Sequence, residues 1–279
     1  MSKAMRRLFG ASLAITLIAS LVATLFMSHT QTLESTFATS PMGNERPTDV
    51  EIAYEPVSIT VGERNIRAWY IQADSPVGAV LVFHGQRESL SNWIVAIERL
   101  HNANFSTFIF DYSGFGDSSG KPSVEALRED SKAAHNAFLK RASGLPTYLL
   151  GYSLGAGVLL DALQYHEMTS EGIVLASAFS SIRDLAIDEG SMPSAFSFLI
   201  PNLYDNVSNA KSVKTPIRVV HSKTDGRFPV WMAEKVAEAA EDSNLTIVQT
   251  PGHSDFLASR QDIDDSGDEF WAAVLAGMK

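Results

Sequence analysis

The sequence contains no cysteine at all. This absence excludes disulfide bonds, catalysis by a thiolate, zinc sites built on thiolates and lipid anchors attached through a thioester. It does not fix the compartment, because an exported protein can fold without cysteine. The chain also lacks a long basic run, and its net charge is −10. Nucleic-acid phosphates require clustered lysine and arginine, so no nucleic-acid partner is expected.

The chain has 279 residues and is 45% hydrophobic, which is enough to bury a substantial core. An apolar, uncharged segment covers residues 8–27, after Lys3, Arg6 and Arg7. As a helix rising ~1.5 Å per residue it would span roughly 30 Å, about one bilayer core. We therefore expect residues 1–27 to form a membrane anchor that places the rest of the chain on the extracytoplasmic side. A cleaved signal segment, which would release a secreted domain, is the alternative.

A polar segment follows the apolar one. Residues 28–49 are rich in Ser, Thr, Pro and Asn and have no sustained period, so they predict a linker. The remainder, residues 50–279, is of single-domain size. We expect one folded domain there, which would stay active after deletion of residues 1–40.

The folded part alternates between strand-like and helix-like patterns. Residues 56–61 and 65–71 alternate in polarity around Gly62 and Glu63, which predicts an antiparallel hairpin at one edge of a sheet. Continuous apolar runs predict buried strands at residues 79–83, 105–110, 147–150, 172–176, 217–221 and 245–248. Helical spacing between several of these runs, at residues 91–103, 124–139 and 230–240, is typical of a parallel sheet built from βαβ units.

Residues 151–155, Gly-Tyr-Ser-Leu-Gly, match the nucleophile-elbow pattern G-x-S-x-G between a predicted strand and a predicted helix. Ser153 is the candidate nucleophile. A serine projected from so sharp a turn needs neighbours without a Cβ, and Gly151 and Gly155 meet that need. A glycine-rich turn whose serine has no catalytic role would fit the same five residues. The other motifs of the chain are therefore needed to distinguish the two interpretations.

Further motifs occur in a fixed order along the chain. They are His84-Gly85 after a predicted strand, the turn-rich loop 111–120, the elbow at 151–155, Asp225 and His253. Together they resemble the α/β-hydrolase superfamily, and within it the serine hydrolases with a small lid or none of the ABHD12/13/17 and Bem46-like group. The resemblance covers roughly residue 50 to the carboxyl terminus. It implies an α/β fold, with a mostly parallel eight-stranded sheet, helices on both faces and a small cap.

The resemblance also implies roles for individual residues. Ser153 would be the nucleophile, His253 the general base and then acid, and Asp225 the carboxylate that orients the imidazole. Backbone N–H groups of Gln86 and Leu154 would form the oxyanion hole. No cofactor and no metal is expected.

Two positions depart from the pattern of the relatives. Ser222 stands where they carry a second glycine in the loop of the candidate acid, residues 221–229, which we call the acid loop. Gln86 stands where they often carry Asn or Gly. Asp205 is the main rival for the acid role, since some α/β hydrolases take their acid after the preceding strand. Asp184 and Asp255 are weaker rivals, and Asp255 is too close to His253 in sequence to reach its Nδ1 easily.

Residues 181–212 lie between two predicted strands and contain more large apolar side chains than a plain connection needs. We predict a small cap that lines an acyl pocket, although packing of the crossover onto the core would explain the same side chains. The predicted activity is hydrolysis of carboxylic esters or thioesters, on a small-molecule or lipid-like acyl substrate, through an acyl-enzyme. A serine peptidase of the same fold and a catalytically silent binding module are the alternatives.

Overall fold

The computed structural model describes residues 3–249, 252–254, 257 and 266–278. Eight strands form one sheet in the order β1-β2-β4-β3-β5-β6-β7-β8. The strands are β1 (Glu55–Val61), β2 (Arg64–Ile71), β3 (Gly78–Phe83), β4 (Phe105–Phe110), β5 (Thr147–Tyr152), β6 (Gly172–Ala176), β7 (Ile217–Ser222) and β8 (Ser243–Val248). The helices are α1 (Lys3–Thr36), α2 (Ile94–Asn102), α3 (Val124–Arg141), α4 (Leu154–Tyr165), α5 (Ile182–Asp188), α6 (Asn206–Ala210), α7 (Val230–Ala239) and α8 (Ser266–Ala276).

The sheet is antiparallel at one edge and parallel elsewhere. β1 pairs with β2 and β2 with β4 in antiparallel fashion, and β4, β3, β5, β6, β7 and β8 pair in parallel. The hairpin predicted at residues 56–71 is therefore the edge pair β1 and β2. The mostly parallel, eight-stranded α/β sheet confirms the predicted fold class.

Both faces of the sheet are covered by helices, which explains the continuous apolar runs. In β3, Val80 and Val82 belong to a core shared with α2 and α8, whereas Leu81 and Phe83 belong to a second core shared with α3, α4 and α7. Successive side chains of a strand point to opposite faces, so a strand buried on both sides has no polar position. All six residues of β3 are buried accordingly.

The amino-terminal region differs from its prediction. α1 is a single helix of 34 residues and continues into the predicted linker. In the part of the chain that the structure describes, no helix is both long enough and apolar enough to cross a membrane, so the anchor predicted at residues 8–27 is not supported. Hydroxyl side chains interrupt the apolar surface of α1: the Thr16 and Thr24 hydroxyls donate to the carbonyls of Ser12 and Ser20, at 3.0 and 2.9 Å.

The chain that follows α1 packs on the domain instead of forming a free linker. Phe37 is buried, and its ring meets the ring of Tyr204 edge-on, with centroids 6.2 Å apart. The backbone N–H of Arg87 donates to the carbonyl of Ala38 at 3.0 Å. A 3₁₀ helix at Pro47–Val50 then leads into β1. Residues 28–49 are thus α1 and an ordered connection to the sheet.

The predicted cap at residues 181–212 consists of short helices. It contains α5, a 3₁₀ helix at Ser194–Leu199, and α6. Leu185 and Ile200 are buried, while Phe196 and Phe198 on the 3₁₀ helix are exposed. Part of the apolar surface of this segment therefore faces inward and part faces solvent.

Candidate active site

The turn between β5 and α4 is the sharp elbow that the sequence predicts. Ser153 has φ 51° and ψ −118°, a region that side-chain-bearing residues rarely occupy. A Cβ at Gly155 would lie 1.9 Å from the carbonyl oxygen of Phe83, and one at Gly151 would lie 2.8 Å from the Cα of Ala156. Both distances are shorter than any real Cβ contact, so the two glycines are required by close backbone approach.

Three side chains predicted from the sequence are hydrogen-bonded in series, and we call them the relay. The Ser153 Oγ lies 3.0 Å from the Nε2 of His253. The Nδ1 of His253 lies 2.7 Å from the Oδ2 of Asp225. With Nδ1–H donated to the carboxylate, Nε2 is left as an acceptor for the serine hydroxyl. The relay sits where β5, β7 and β8 end, because parallel strands bring their carboxyl ends to one edge of the sheet.

The second oxygen of Asp225 is held by its own loop. Asp225 Oδ1 accepts hydrogen bonds from the backbone N–H groups of Arg227 and Phe228, at 2.9 and 2.8 Å. Burial alone would raise the pKa of Asp225, but the hydrogen bond and charge of His253, the Phe228 N–H and the charge of His221 together lower the pKa. The loop therefore holds an ionised carboxylate in one orientation, even though Ser222 replaces the usual glycine.

The rival carboxylates have other partners. Asp205 caps the amino end of α6, accepting from the Ser208 N–H at 3.0 Å. Asp184 accepts from the hydroxyl of Ser180 at 2.7 Å. Asp255 lies outside the described residues. Of the candidates that the structure describes, Asp225 is the carboxylate hydrogen-bonded to His253.

Aromatic side chains hold the imidazole of His253 from two sides. The Tyr152 hydroxyl donates to the carbonyl of His253 at 3.1 Å, and the two rings lie 5.5 Å apart. The ring of Phe228 meets the imidazole edge-on at 4.7 Å. These contacts hold the imidazole against Tyr152 and Phe228.

The loop after β3 carries a glutamate that sequence reasoning missed. Glu88 Oε2 accepts from the backbone N–H of Gly85 at 2.7 Å and from the indole N–H of Trp93 at 2.9 Å. Burial raises the pKa of Glu88, while the nearby charges of His84 and His253 and the two hydrogen bonds act to lower it. A single glutamate in a polar loop gives no periodic or motif signal, so only the structure reveals its role in shaping the loop before Gln86.

His84 and Asp111 belong to the packing beneath this loop. His84 is fully buried, and its Nε2 lies 3.3 Å from Asp111 Oδ1. The same carboxylate oxygen accepts from the Leu90 N–H at 3.0 Å. Both residues fix loops next to the site.

A cavity of ≈ 560 Å³ opens next to Ser153. Gln86 and Leu154, the predicted oxyanion-hole residues, line it together with Ser153. The cap contributes Ile182, Leu185, Ala186, Glu189, Ser191, Met192 and Ile200 to the lining. The end of α1 contributes Thr24, Met27, Gln31, Thr32, Ser35 and Thr36, which the sequence did not predict.

Among the residues with described positions, no group of three or more histidine, aspartate or glutamate side chains is arranged to hold a metal ion.

An elbow serine at the carboxyl edge of a mostly parallel, eight-stranded sheet, with a histidine and an aspartate in line behind it, is the arrangement of the α/β hydrolases. Within that class, the chain belongs to the family described as "Serine aminopeptidase, S33" (Hydrolase_4), which matches residues 74–253. The resemblance drawn from the sequence motifs is thereby confirmed.

The chain is also similar to individual proteins. The chain is 27% identical over 205 residues to protein YfhR of Escherichia coli strain K12, across 70% of this chain and 71% of YfhR. It is 25% identical over 265 residues to the membrane protein YNL320W of Saccharomyces cerevisiae, across 91% of this chain and 92% of the yeast protein. Among solved structures, the esterase Pf2001 of Pyrococcus furiosus has a TM-score of 0.66 at 18% identity, covering 87% of this chain and all of the esterase. At that identity the likeness shows the fold.

Proposed function

We propose that this protein is a serine hydrolase that cleaves carboxylic esters or thioesters through an acyl-enzyme. The observation that carries the proposal is the relay: 3.0 Å from Ser153 Oγ to His253 Nε2, and 2.7 Å from His253 Nδ1 to Asp225 Oδ2. Both distances lie within the reach that proton transfer between a nucleophile and its base requires. The esterase fold neighbour and the hydrolase family support the same class.

In the first half of the reaction, the Ser153 Oγ attacks the carbonyl carbon while its proton passes to His253 Nε2. Asp225, whose pKa is lowered, stays ionised and stabilises the imidazolium that forms. Backbone N–H groups of Leu154 and Gln86 receive the negative charge on the carbonyl oxygen. The tetrahedral species collapses when the bond to the leaving group breaks, and His253 returns its proton to the departing alcohol or thiol.

In the second half, water takes the place of the leaving group. His253 removes a proton from the water as its oxygen attacks the ester carbon of the acyl-enzyme. Collapse of the second tetrahedral species releases the carboxylic acid, and the proton on His253 returns to Ser153. The enzyme is regenerated without a cofactor, and each proton has a defined donor and acceptor.

The substrate class follows from the cavity. Leu154, Phe179 and Phe228 line it close to the relay, and the cap adds the side chains of Leu185 and Met192. Such a surface suits an acyl chain of short to medium length. Each methylene in an apolar pocket adds only about 1 to 3 kcal/mol of discrimination, so a graded chain-length profile is expected.

Labelling with a fluorophosphonate probe tests the proposed chemistry. The full-length protein is compared with Ser153→Ala at equal folding, checked by thermal melts. We expect covalent label on the wild-type protein and none on the variant. Label that does not depend on Ser153, or no label at all, would favour a catalytically silent binding module.

A peptidase of the same fold is the second candidate. Glu189 lines the cavity and could pair with the free amino group of a peptide substrate, and the family description names a serine aminopeptidase. A panel of p-nitrophenyl esters of increasing chain length, run beside aminoacyl p-nitroanilides, separates the two activities. Faster turnover of the anilides, lost in Glu189→Gln, would replace the esterase assignment with aminopeptidase action.

A further inference from the structure

The last turns of α1 line the same cavity as Ser153. Thr24, Met27, Gln31, Thr32, Ser35 and Thr36 line it together with residues of the cap. The family match begins only at residue 74, so this wall comes from outside the part of the chain that the family defines. The cavity therefore has one wall from the domain and another from the amino-terminal helix.

Gln86 joins this helix to the loop beside the relay. Its Nε2 donates to the carbonyl oxygens of Ser35 and Thr36, the latter at 2.9 Å. Its Oε1 accepts from the Nη2 of Arg227, at 3.2 Å, in the loop that carries the candidate acid. One carboxamide thus contacts the end of α1 and the acid loop at once.

This contact has a clear physical basis. The last carbonyl oxygens of a helix receive no hydrogen bond from an N–H group of the same helix, so they need donors from elsewhere. The Gln86 side chain supplies such donors. The backbone N–H of the next residue, Arg87, donates to the carbonyl of Ala38 at 3.0 Å. Two consecutive residues of the loop after β3 are therefore fastened to the chain at the end of α1.

We propose that Gln86 is a positioning residue: its side chain holds the end of α1 against the loop after β3, so that α1 closes one wall of the acyl pocket. The same contacts hold the loop that carries the Gln86 N–H, the proposed oxyanion donor. The proposal rests on the proposed esterase function, and it names the element that sets acyl selection at that site. It also reverses the expectation that residues 1–40 can be removed without loss of activity.

The absence of cysteine gives a direct test of the wall. Thr32→Cys, in the wall, and Ser20→Cys, on α1 but outside the cavity lining, each create one thiol in the full-length chain. Ser153 is first modified with an octyl fluorophosphonate, and the rate of thiol alkylation by a maleimide is then measured. We expect alkylation in Thr32→Cys to slow at least severalfold after modification, and alkylation in Ser20→Cys to stay unchanged.

The outcomes of this test are separable from those of the proposed function. If the probe fails to label Ser153, the proposed function fails. If the probe labels Ser153 but the Thr32→Cys thiol reacts at the same rate as before, the end of α1 is not a wall of the pocket and the inference is overturned.

Kinetics test the role of Gln86 itself. Gln86→Met keeps the length of the side chain and the backbone N–H but removes both the donor and the acceptor. Gln164→Met is the matched control, because Gln164 Nε2 also donates to two backbone carbonyls, of Leu160 and Asn209, at 3.2 and 3.1 Å, and lies outside the cavity lining.

For Gln86→Met we expect kcat on an acetyl ester to fall roughly 10- to 100-fold, because misplacing an oxyanion donor weakens transition-state binding. On an octanoyl ester, KM should rise in addition, because the α1 wall is no longer held. Gln164→Met should change the melting temperature only. If the two variants share the same kinetics at equal folding, Gln86 has a merely structural role and the proposal fails.

Discussion

The relay and the wall of the cavity beside it are held in place in different ways. Ser153, His253 and Asp225 follow three parallel strands. Ser153 and Asp225 are fixed by close backbone contacts or hydrogen bonds within their own turns, and His253 is fixed by hydrogen bonds to both of them. In this comparison the wall includes the short helices of the cap as well as the end of α1. On the cap, Phe196 and Phe198 remain 52% and 66% exposed. Changes in the relay region should therefore abolish chemistry or folding, whereas changes in the wall should alter substrate choice first.

The largest effect is expected at the elbow. Gly155→Ala would place a Cβ 1.9 Å from the Phe83 carbonyl, which can move only if β3 moves. We expect a loss of more than about 4 kcal/mol in the free energy of unfolding, together with loss of ester hydrolysis. Gly226→Ala, with no heavy atom within 4 Å of the new Cβ, is the control and should melt near the wild type. A Gly155→Ala protein that melts like Gly226→Ala would contradict the close approach.

The next largest effect distinguishes Asp225 from Asp205 as the acid that pairs with His253. Asp225→Asn should lower kcat roughly 10⁴-fold with little change in KM, because the imidazole loses the partner that fixes its tautomer. Asp205→Asn should keep its kcat and lose at most about 1 kcal/mol of stability, since Asp205 caps α6. Steady-state kinetics and thermal melts on both variants check this. The reverse pattern would give the acid role to Asp205.

A smaller effect is expected in the wall. Met192→Trp would fill part of the cavity on the cap side, so kcat/KM for an octanoyl ester should fall about tenfold or more while an acetyl ester is little affected. Phe198→Ala, on the exposed side of the cap, should leave the chain-length profile unchanged. Equal losses on both esters in Met192→Trp would mean that the wall and the relay are not separable.

The smallest effect concerns pH and uses two buried histidines, one beside the relay and one on α3. Burial lowers the pKa of His221, beside the relay, and of His135, on α3, from the usual 6.5. Because the pKa of each histidine is lower in the folded state than in the unfolded state, the unfolded state binds a proton at a higher pH. Stability is therefore full above pH 6.5 and declines below it, towards the lowered pKa, with a slope of at most about 1.4 kcal/mol per pH unit for each group.

His135→Gln should flatten this slope and leave ester hydrolysis intact. His221→Gln should flatten the slope and also reduce activity, because His221 Nε2 is bonded to the carbonyl of Phe228, at 2.9 Å, in the acid loop. Denaturant unfolding between pH 5 and 7, with kinetics at pH 7, measures both. An unchanged slope in either variant would show that its histidine is not the group that titrates.

The sheet and the order of the site residues could be predicted because their signals are local. Buried strands leave continuous apolar runs, and the elbow leaves five adjacent residues, 151–155, whose glycines are dictated by contacts within the turn. The fold prediction is confirmed, and the hydrogen bonds of Ser153, His253 and Asp225 follow from strand order. Their catalytic roles stay a prediction until the variants are measured.

The α1 part of the wall could not be predicted, because its contacts join distant parts of the chain. Nothing in residues 28–49 indicates that Ser35 and Thr36 meet Gln86, some fifty positions later. One signal was available: there is no glycine or proline between Gly10 and Pro41, so no helix breaker ends α1 at residue 27. The polar composition predicts a linker, although Phe37 provides an apolar contact that fixes the segment to the domain.

The strained backbone of Ser153 has a consequence for how this position changes under selection. A non-glycine residue at φ 51° and ψ −118° is destabilised by about 1 to 3 kcal/mol relative to glycine. Selection for folding alone would therefore replace this serine, and Ser153→Gly should give a protein that is more stable and inactive. A lineage that no longer needed the reaction would be expected to lose the serine before it lost the fold.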